Sequence, residues 1–187
     1  MLKKIGIFGG SFDPIHTGHL IICNFIKDEY NLDKIIFVPA YRSPHKTTSR
    51  FTSPQVRYEM VKLAIEDNKG FEISDFEISQ SRSMYSFETI DYMKKKYSES
   101  ELFFIIGADS YNNISKWKNP ELIKKQVKLV IASRNNLKIK EDEYLAKTPN
   151  IEISSSMIRD RIDKKFSIKY LVNSKVERYI YEKYLYK

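Results

Sequence analysis

Short apolar runs alternating with helix-period segments predict an α/β fold: a Rossmann-like, doubly wound, mainly parallel sheet with helices on both faces. Three observations carry this expectation. Residues 4–9, 34–39, 101–108 and 127–133 are apolar runs of strand length. Segments with apolar residues at helical spacing stand between them. The unusual Gly, Pro, His and Ser residues fall in the turns that follow strands, where ligands bind in such sheets.

The elements follow in order. "KIGIFG" (4–9) reads as a buried first strand, and "HLIICNFIKDEY" (19–30) as the first helix. "KIIFVP" (34–39) is a second strand, stopped by Pro39, and a polar loop follows. Ser53 caps a helix with Pro54 at its first position, running to about Asp67. "FEISDFEI" (71–78) is a third strand region. "SFETIDYMKKKY" (86–97) is a helix with Ser86 as its cap, and "ELFFIIGA" (101–108) is the fourth strand. Asn119-Pro120 opens a short helix, "VKLVIAS" (127–133) is the fifth strand, and "NIEI" (150–153) a short sixth. "SSSMIRDRID" then opens a helix, and a last helix spans about 175–184. The 187 residues fit one domain, with a C-terminal helical part at about 154–187. A chain this long buries roughly 70% of its unfolded surface, enough for a core of its own.

Composition narrows the function classes. The chain is 42% hydrophobic and 30% charged, an ordinary globular balance. No apolar run approaches the ~20 residues that span a bilayer, so no membrane role is expected. The N-terminal "MLKKIGIFGG" passes straight into a glycine turn and reads as a strand, not a signal peptide. One cysteine, Cys23, lies in an apolar helical stretch, so a buried thiol in a reducing, cytoplasmic setting is expected. The net charge of +8 comes from scattered lysines and suits an anionic nucleotide substrate; no nucleic-acid-binding motif accompanies it.

The first turn, "GIFGGSFDPIHTGHL" (6–20), carries the densest chemistry. Gly9 and Gly10 allow a tight turn and close approach to a ligand. Ser11 offers a hydroxyl to a phosphate oxygen. His16 and His19 flank Gly18 where the first helix begins, and a helix N-terminus is an anion site. Neither the G-x-G-x-x-G nor the G-x-x-x-x-G-K-[ST] spacing is present. A second turn, "ISSSMIRDRI" (153–162), puts Ser154 or Ser155 at a helix cap and Arg159 about one turn in, able to fork onto phosphate oxygens.

Phe12, Pro14, His16, Gly18 and His19 match the H-x-G-H signature of the nucleotidylyltransferase superfamily, which this segment resembles. The 153–159 segment resembles that superfamily's I-S-S-T-x-I-R pattern, with Ser156 in place of threonine. The resemblance implies that both histidines contact ATP phosphates. It assigns Gly9, Gly10, Ser11, Phe12, Gly18, Ser155, Ser156 and Ile158 to the ATP side, together with Arg134 in "SRNN".

Three further stretches are similar to the bacterial nicotinate-nucleotide adenylyltransferases: "SPHK" (43–46), "SMYSFET" (83–89) and "IIGADS" (105–110), the last followed by the sole tryptophan, Trp117. Ser43 replaces a proline usual there, Met84 a serine and Ser86 a threonine, and Arg134 lacks its usual following proline. By this resemblance His45, Tyr85, Ser86, Gly107, Asp109 and Trp117 take up nicotinate mononucleotide. The rings of Tyr85 and Trp117 surround the pyridine, and His16, His19, Lys46 and Arg159 carry catalysis. The implied reaction transfers AMP from ATP to nicotinate mononucleotide, by direct in-line attack without a covalent intermediate. It yields deamido-NAD and pyrophosphate in NAD biosynthesis. Mg²⁺ is the expected cofactor, held mainly by substrate phosphates, because no carboxylate cluster is evident for it. Rival readings are a sister transferase acting on phosphopantetheine or transferring CMP, a nucleic-acid-binding module, and a nucleotide sensor without turnover. Oligomeric state is not readable from the sequence, and a homo-oligomer stays open.

Overall fold

A computed structural model describes residues 2–42, 52–133 and 144–187. Six strands form one sheet: β1 (Lys3–Gly10), β2 (Lys34–Pro39), β3 (Phe71–Ile73), β4 (Ser100–Gly107), β5 (Lys128–Ser133) and β6 (Tyr144–Lys147). Their order is β3-β2-β1-β4-β5-β6, and every pairing is parallel. The chain winds outward from β1 to one edge, then returns to lay β4 on the other side of β1. The reversal of strand order thus falls between β1 and β4, where this fold class opens a ligand crevice at the carboxyl ends of the strands.

Period-two alternation sorts the strand side chains onto two faces. Phe37, Phe103, Ile105 and Val130 join one buried cluster. Ile5, Ile7, Ile36, Phe104 and Ile131 join another on the opposite face. The first cluster is covered by α1 (Thr17–Glu29), α2 (Pro54–Ile65), α7 (Ser155–Asp163) and α8 (Ser174–Glu182), which contribute among others Ile26, Met60, Ile158 and Ile180. The second is covered by α4 (Ser86–Lys96) and α6 (Pro120–Gln126), through Ile90, Met93 and Ile123. Two short helices, α3 (Phe76–Ser79) and α5 (Ala108–Asn112), and a 3₁₀ turn at Ile114–Lys116 complete the elements among the described residues. Cys23 is fully buried, and desolvation pushes its thiol up. No helix among the described residues is long and apolar enough to cross a membrane.

The doubly wound parallel architecture is as expected, and four local expectations are corrected. The run at 71–78 divides: Phe71–Ile73 pairs with β2, then Asp75 begins α3, whose Phe76 ring lies flat on Tyr92 at 3.7 Å. The sixth strand is Tyr144–Lys147 and not 150–153. The alternation of Ile151 and Ile153 serves packing instead: Ile151 approaches Gly18, and Ile153 packs on the first cluster. The cap of α4 is Tyr85, with Ser86 the first helical residue; the capping contact comes from the Glu88 carboxylate, which accepts the Tyr85 N–H at 2.9 Å. Gly9 and Gly10 belong to β1, and no described glycine has a positive φ; the left-handed residue of the turn is Phe12, at φ 48°.

Candidate active site

The first turn is held by packing against its own aromatic residue. The Phe12 ring is 3% exposed and lies so close to Gly10 that an added Cβ there would meet it at 2.8 Å. A non-glycine residue at this φ costs about 1–3 kcal/mol, and burial of the ring holds it there. The Asp13–Pro14 peptide is cis. At Gly9 an added Cβ would meet nothing within 4 Å, and the same is true of Gly107 at the end of β4. Both open positions lie at the carboxyl edge of adjacent strands, beside the reversal of strand order.

His16 is the N-cap of α1 in extended conformation and is 6% exposed. Its ring stacks on that of His19, with centroids 3.6 Å apart and planes at 21°. Its backbone N–H donates to Nδ1 of His19 at 3.2 Å. That bond sets the tautomer of a neutral His19: with Nδ1 accepting, the proton sits on Nε2, which becomes a donor. Phe12 meets the His19 ring edge-on at 5.2 Å and Phe8 flanks it at 5.8 Å, so its orientation is fixed. Gly18 permits the arrangement, since a Cβ there would stand 3.1 Å from His16 Nδ1.

The second turn docks on the first. Ser154 caps α7, its hydroxyl accepting the Met157 N–H at 3.2 Å. Ser155 Oγ donates to the Pro14 carbonyl at 2.9 Å, and Arg159 Nη1 to the Asp13 carbonyl at 2.6 Å. A further bond runs from Arg159 Nη2 to Ser156 Oγ at 3.3 Å. Ile158 anchors the helix in the core at 0% exposure. Two helix starts that are distant in sequence therefore meet, each with first-turn N–H groups that helix geometry leaves without intrahelical partners.

The opposite face of the sheet supplies an aromatic platform. Tyr85 is 37% exposed and stacks loosely on Phe87 at 6.2 Å, with the Lys118 ammonium 4.7 Å above its ring. Trp117 packs against Phe104 at 6.3 Å. Asp109, on α5, is exposed. Tyr85 and Ser86 open α4, while Gly107 and Asp109 end β4 and begin α5. Because each helix returns antiparallel to the strands, these starts lie at the same carboxyl edge as the histidines. Met84 is buried at 5% exposure. His45, Lys46 and Arg134 lie outside the described residues.

Two buried polar residues were not singled out by the sequence. Arg57 on α2 is 2% exposed, and its donors go to the carbonyls of Ser11 (2.6 Å), Ala40 (2.6 Å), Tyr41 (2.8 Å) and Thr52 (3.1 Å). Desolvation lowers its pKa, opposed by the nearby Asp13 charge. The available signal was an arginine on the face of α2 that otherwise carries Met60, Val61, Ala64 and Ile65. Asp13 is 2% exposed and takes the Tyr186 hydroxyl on Oδ1 at 2.6 Å and the Thr52 N–H on Oδ2 at 3.4 Å. Nothing local in the sequence indicated the Tyr186 contact. Among the described residues no group of three His, Cys, Asp or Glu is placed to hold a metal ion.

A parallel sheet with a histidine-bearing helix start at its reversal point, clasped by a serine-capped helix from the far end of the chain, defines a nucleotidyl-transferring class. The family model described as Cytidylyltransferase-like matches residues 7–161, which include both turns. A probable nicotinate-nucleotide adenylyltransferase of Clostridium botulinum (strain Alaska E43 / Type E3) is 42% identical, over 100% of this chain and 99% of that protein. The nicotinate-nucleotide adenylyltransferase of Bacillus subtilis (strain 168) is 37% identical over 99% of each. The chain belongs to the nicotinate-nucleotide adenylyltransferase family. Its fold is shared by a Plasmodium falciparum nicotinic acid mononucleotide adenylyltransferase solved with NaAD, at TM-score 0.82 and 24% identity over 98% of this chain and 97% of the other.

Proposed function

We propose that the chain transfers AMP from ATP to nicotinate mononucleotide, giving deamido-NAD and pyrophosphate, with the two clasped turns as its ATP site. The observation that carries this reading is the docking of Ser155 and Arg159 on the Pro14 and Asp13 carbonyls, beside the stacked His16 and His19. An oxygen of the mononucleotide phosphate attacks the α-phosphorus of ATP. A new P–O–P bond forms, the bond from the α-phosphorus to the bridging oxygen breaks, and pyrophosphate leaves with the electron pair. The attacking oxygen is already anionic, so no general base is required.

The chain's own contribution is position and charge. Orientation of two bound reactants contributes about 7–11 kcal/mol. One donor aimed at developing charge adds about 2.7–4 kcal/mol, and a helix terminus about 0.3–2 kcal/mol. Orientation therefore leads, and the docked turns are what supply it. In this reading His19 presents its Nε2–H to a phosphate oxygen, and His16 and the remaining donors of Arg159 take others. The N–H groups of Ser155 and Ser156 complete the cradle, and Gly9, Gly10, Ser11, Phe12 and Gly18 shape its floor. Tyr85 and Trp117 bracket the pyridine ring, the N-terminus of α4 at Ser86 receives its carboxylate, and Asp109 beside Gly107 takes ribose hydroxyls. Lys46, His45 and Arg134 belong to the same proposal on sequence grounds.

Adenylyl transfer from ATP uses a divalent cation, and Mg²⁺ is the ion we propose. Asp13, the carboxylate of the first turn, is already bound by Tyr186 and Thr52, which fits an ion held by substrate phosphates and water. When bound, it neutralises phosphate charge. A single domain at 1–187, a cytoplasmic setting and independence of nucleic acid complete the reading. The test is product mass after mixing protein, ATP, Mg²⁺ and nicotinate mononucleotide, with phosphopantetheine as a competing acceptor. Deamido-NAD and pyrophosphate are expected; adenylylation of phosphopantetheine alone, or ATP binding without pyrophosphate release, would sink the reading.

A further inference from the structure

An arginine buried on the apolar face of a helix costs several kcal/mol unless its donors are satisfied. Arg57 meets that cost with four of its five N–H groups, and the carbonyls it takes come from three separate places. Ser11 belongs to the turn after β1. Ala40 and Tyr41 directly follow β2, and Thr52 directly precedes α2. The guanidinium thus joins both ends of the 42–51 connection to each other and to the histidine-bearing turn. Other bonds reinforce the junction: the Ala40 N–H goes to the Gly10 carbonyl at 2.9 Å, and the Thr52 N–H to Asp13. Because a trans peptide points its C=O and the next N–H in opposite directions, drawing in the Ser11 and Tyr41 carbonyls turns the Phe12 and Arg42 N–H groups away from Arg57.

We propose that Arg57 is a positioning residue for adenylyl transfer, a clamp that fixes the histidine-bearing turn, through its Ser11 carbonyl, against Ala40 and Tyr41 at the end of β2 and Thr52 before α2. The inference rests on the functional reading above, and it assigns Arg57 no contact with substrate. It acts through the turn it holds, which leads from Ser11 to His16 and His19 at the start of α1. Lysine is a poor substitute, because an ammonium offers three donors from one point and cannot reach carbonyls spread around a planar fork.

The test is a double-mutant cycle of Arg57→Lys with His19→Ala, joined to backbone hydrogen exchange. In the wild-type background Arg57→Lys is expected to lower kcat about tenfold or more, as misplacement of reacting groups does, with the KM for ATP changed by less than about threefold. In the His19→Ala background the same change is expected to cost less than about threefold, since the turn Arg57 positions has already lost its proposed phosphate donor. The fall in Tm is expected to be equal in both backgrounds. Exchange at the amides of Ala40 and Thr52, which donate to the Gly10 carbonyl and to Asp13 at this junction, should quicken in Arg57→Lys while the amides within the sheet stay protected. Equal fold-losses of kcat in the two backgrounds, or unchanged exchange at those amides, would overturn the proposal. Wild-type protein that released no pyrophosphate would overturn the functional reading instead, and the exchange arm would still decide whether the clamp exists.

Discussion

The Tyr186 hydroxyl donates to Oδ1 of Asp13 at 2.6 Å, across 173 positions of sequence. Asp13 is nearly inaccessible, and its carbonyl is also the acceptor for Arg159. One residue of the first turn is thereby tied to both α7 and the C-terminal segment. Burial and the neighbouring Asp13 charge raise the tyrosine's pKa, so the hydroxyl stays a donor at physiological pH. Tyr186→Phe removes that donor from a buried carboxylate, which costs about 1.5–3 kcal/mol for a bond to a charged group. The expected fall in Tm is about 3–12 °C for a chain of this length. Thermal unfolding of the purified variant checks it; an unchanged Tm would show the contact to be energetically idle.

His19 makes a capping contact and carries the proposed phosphate-donor role, and two substitutions separate them. His19→Ala loses both the Nδ1 acceptor for the His16 N–H and the Nε2 donor. It is expected to lower kcat about tenfold or more and to cost about 0.5–2 kcal/mol of stability as a lost cap. His19→Asn keeps an acceptor near the cap, so its stability should stay closer to wild type while kcat still falls. Near-normal turnover by either variant counts against the phosphate role of His19.

Adjacent glycines at the end of β1 should respond differently to alanine. At Gly10 the new Cβ would press on the buried Phe12 ring at 2.8 Å, and overpacking of this kind costs about 1–3 kcal/mol. At Gly9 the Cβ enters open space. Gly9→Ala is therefore expected to leave Tm nearly unchanged and to raise the KM for ATP, because the space belongs to the proposed ligand. Unfolding curves and ATP titrations on the pair decide it: equal behaviour of the two variants contradicts the geometry.

Stability should fall as pH rises through Glu77. This carboxyl is 8% exposed, and burial raises its pKa from 4.5 to about 7; Glu88 adds to the rise, and Thr89 and Arg57 oppose it. Below pH 4.5 it is protonated in both the folded and the unfolded chain. Between pH 4.5 and 7 the unfolded chain releases the proton while the folded chain keeps it, so stability declines with a total of about 3 kcal/mol. Glu77→Gln can keep the acceptor used by the Thr89 hydroxyl at 2.6 Å and removes the titration. Its advantage over wild type is expected to grow from pH 5 to pH 8 in denaturant titrations. A constant difference across that range would exclude Glu77 as the titrating group.

The sequence by itself determined the fold class and the location of the two turns that dock on one another. Those features are written in local patterns: period two in β1, β2 and β4, helical spacing in α1, Ser53-Pro54 at the start of α2, and histidines and serines where strands give way to helices. It could not determine where a short apolar alternation pairs, so Ile151 and Ile153 passed for a strand although they pack beside Gly18 and the core. Nor could it show that Tyr85 and not Ser86 caps α4, because the decisive contact comes from the Glu88 side chain. Only the tertiary structure decided that Arg57 gathers carbonyls from three separate segments, that Ser155 and Arg159 dock on residues 13 and 14, and that Tyr186 reaches Asp13. The physical reason is range. Helix starts and strands are set by neighbours a few residues apart, whereas a buried charge or hydroxyl chooses its partner from whatever the folded chain brings within about 3 Å.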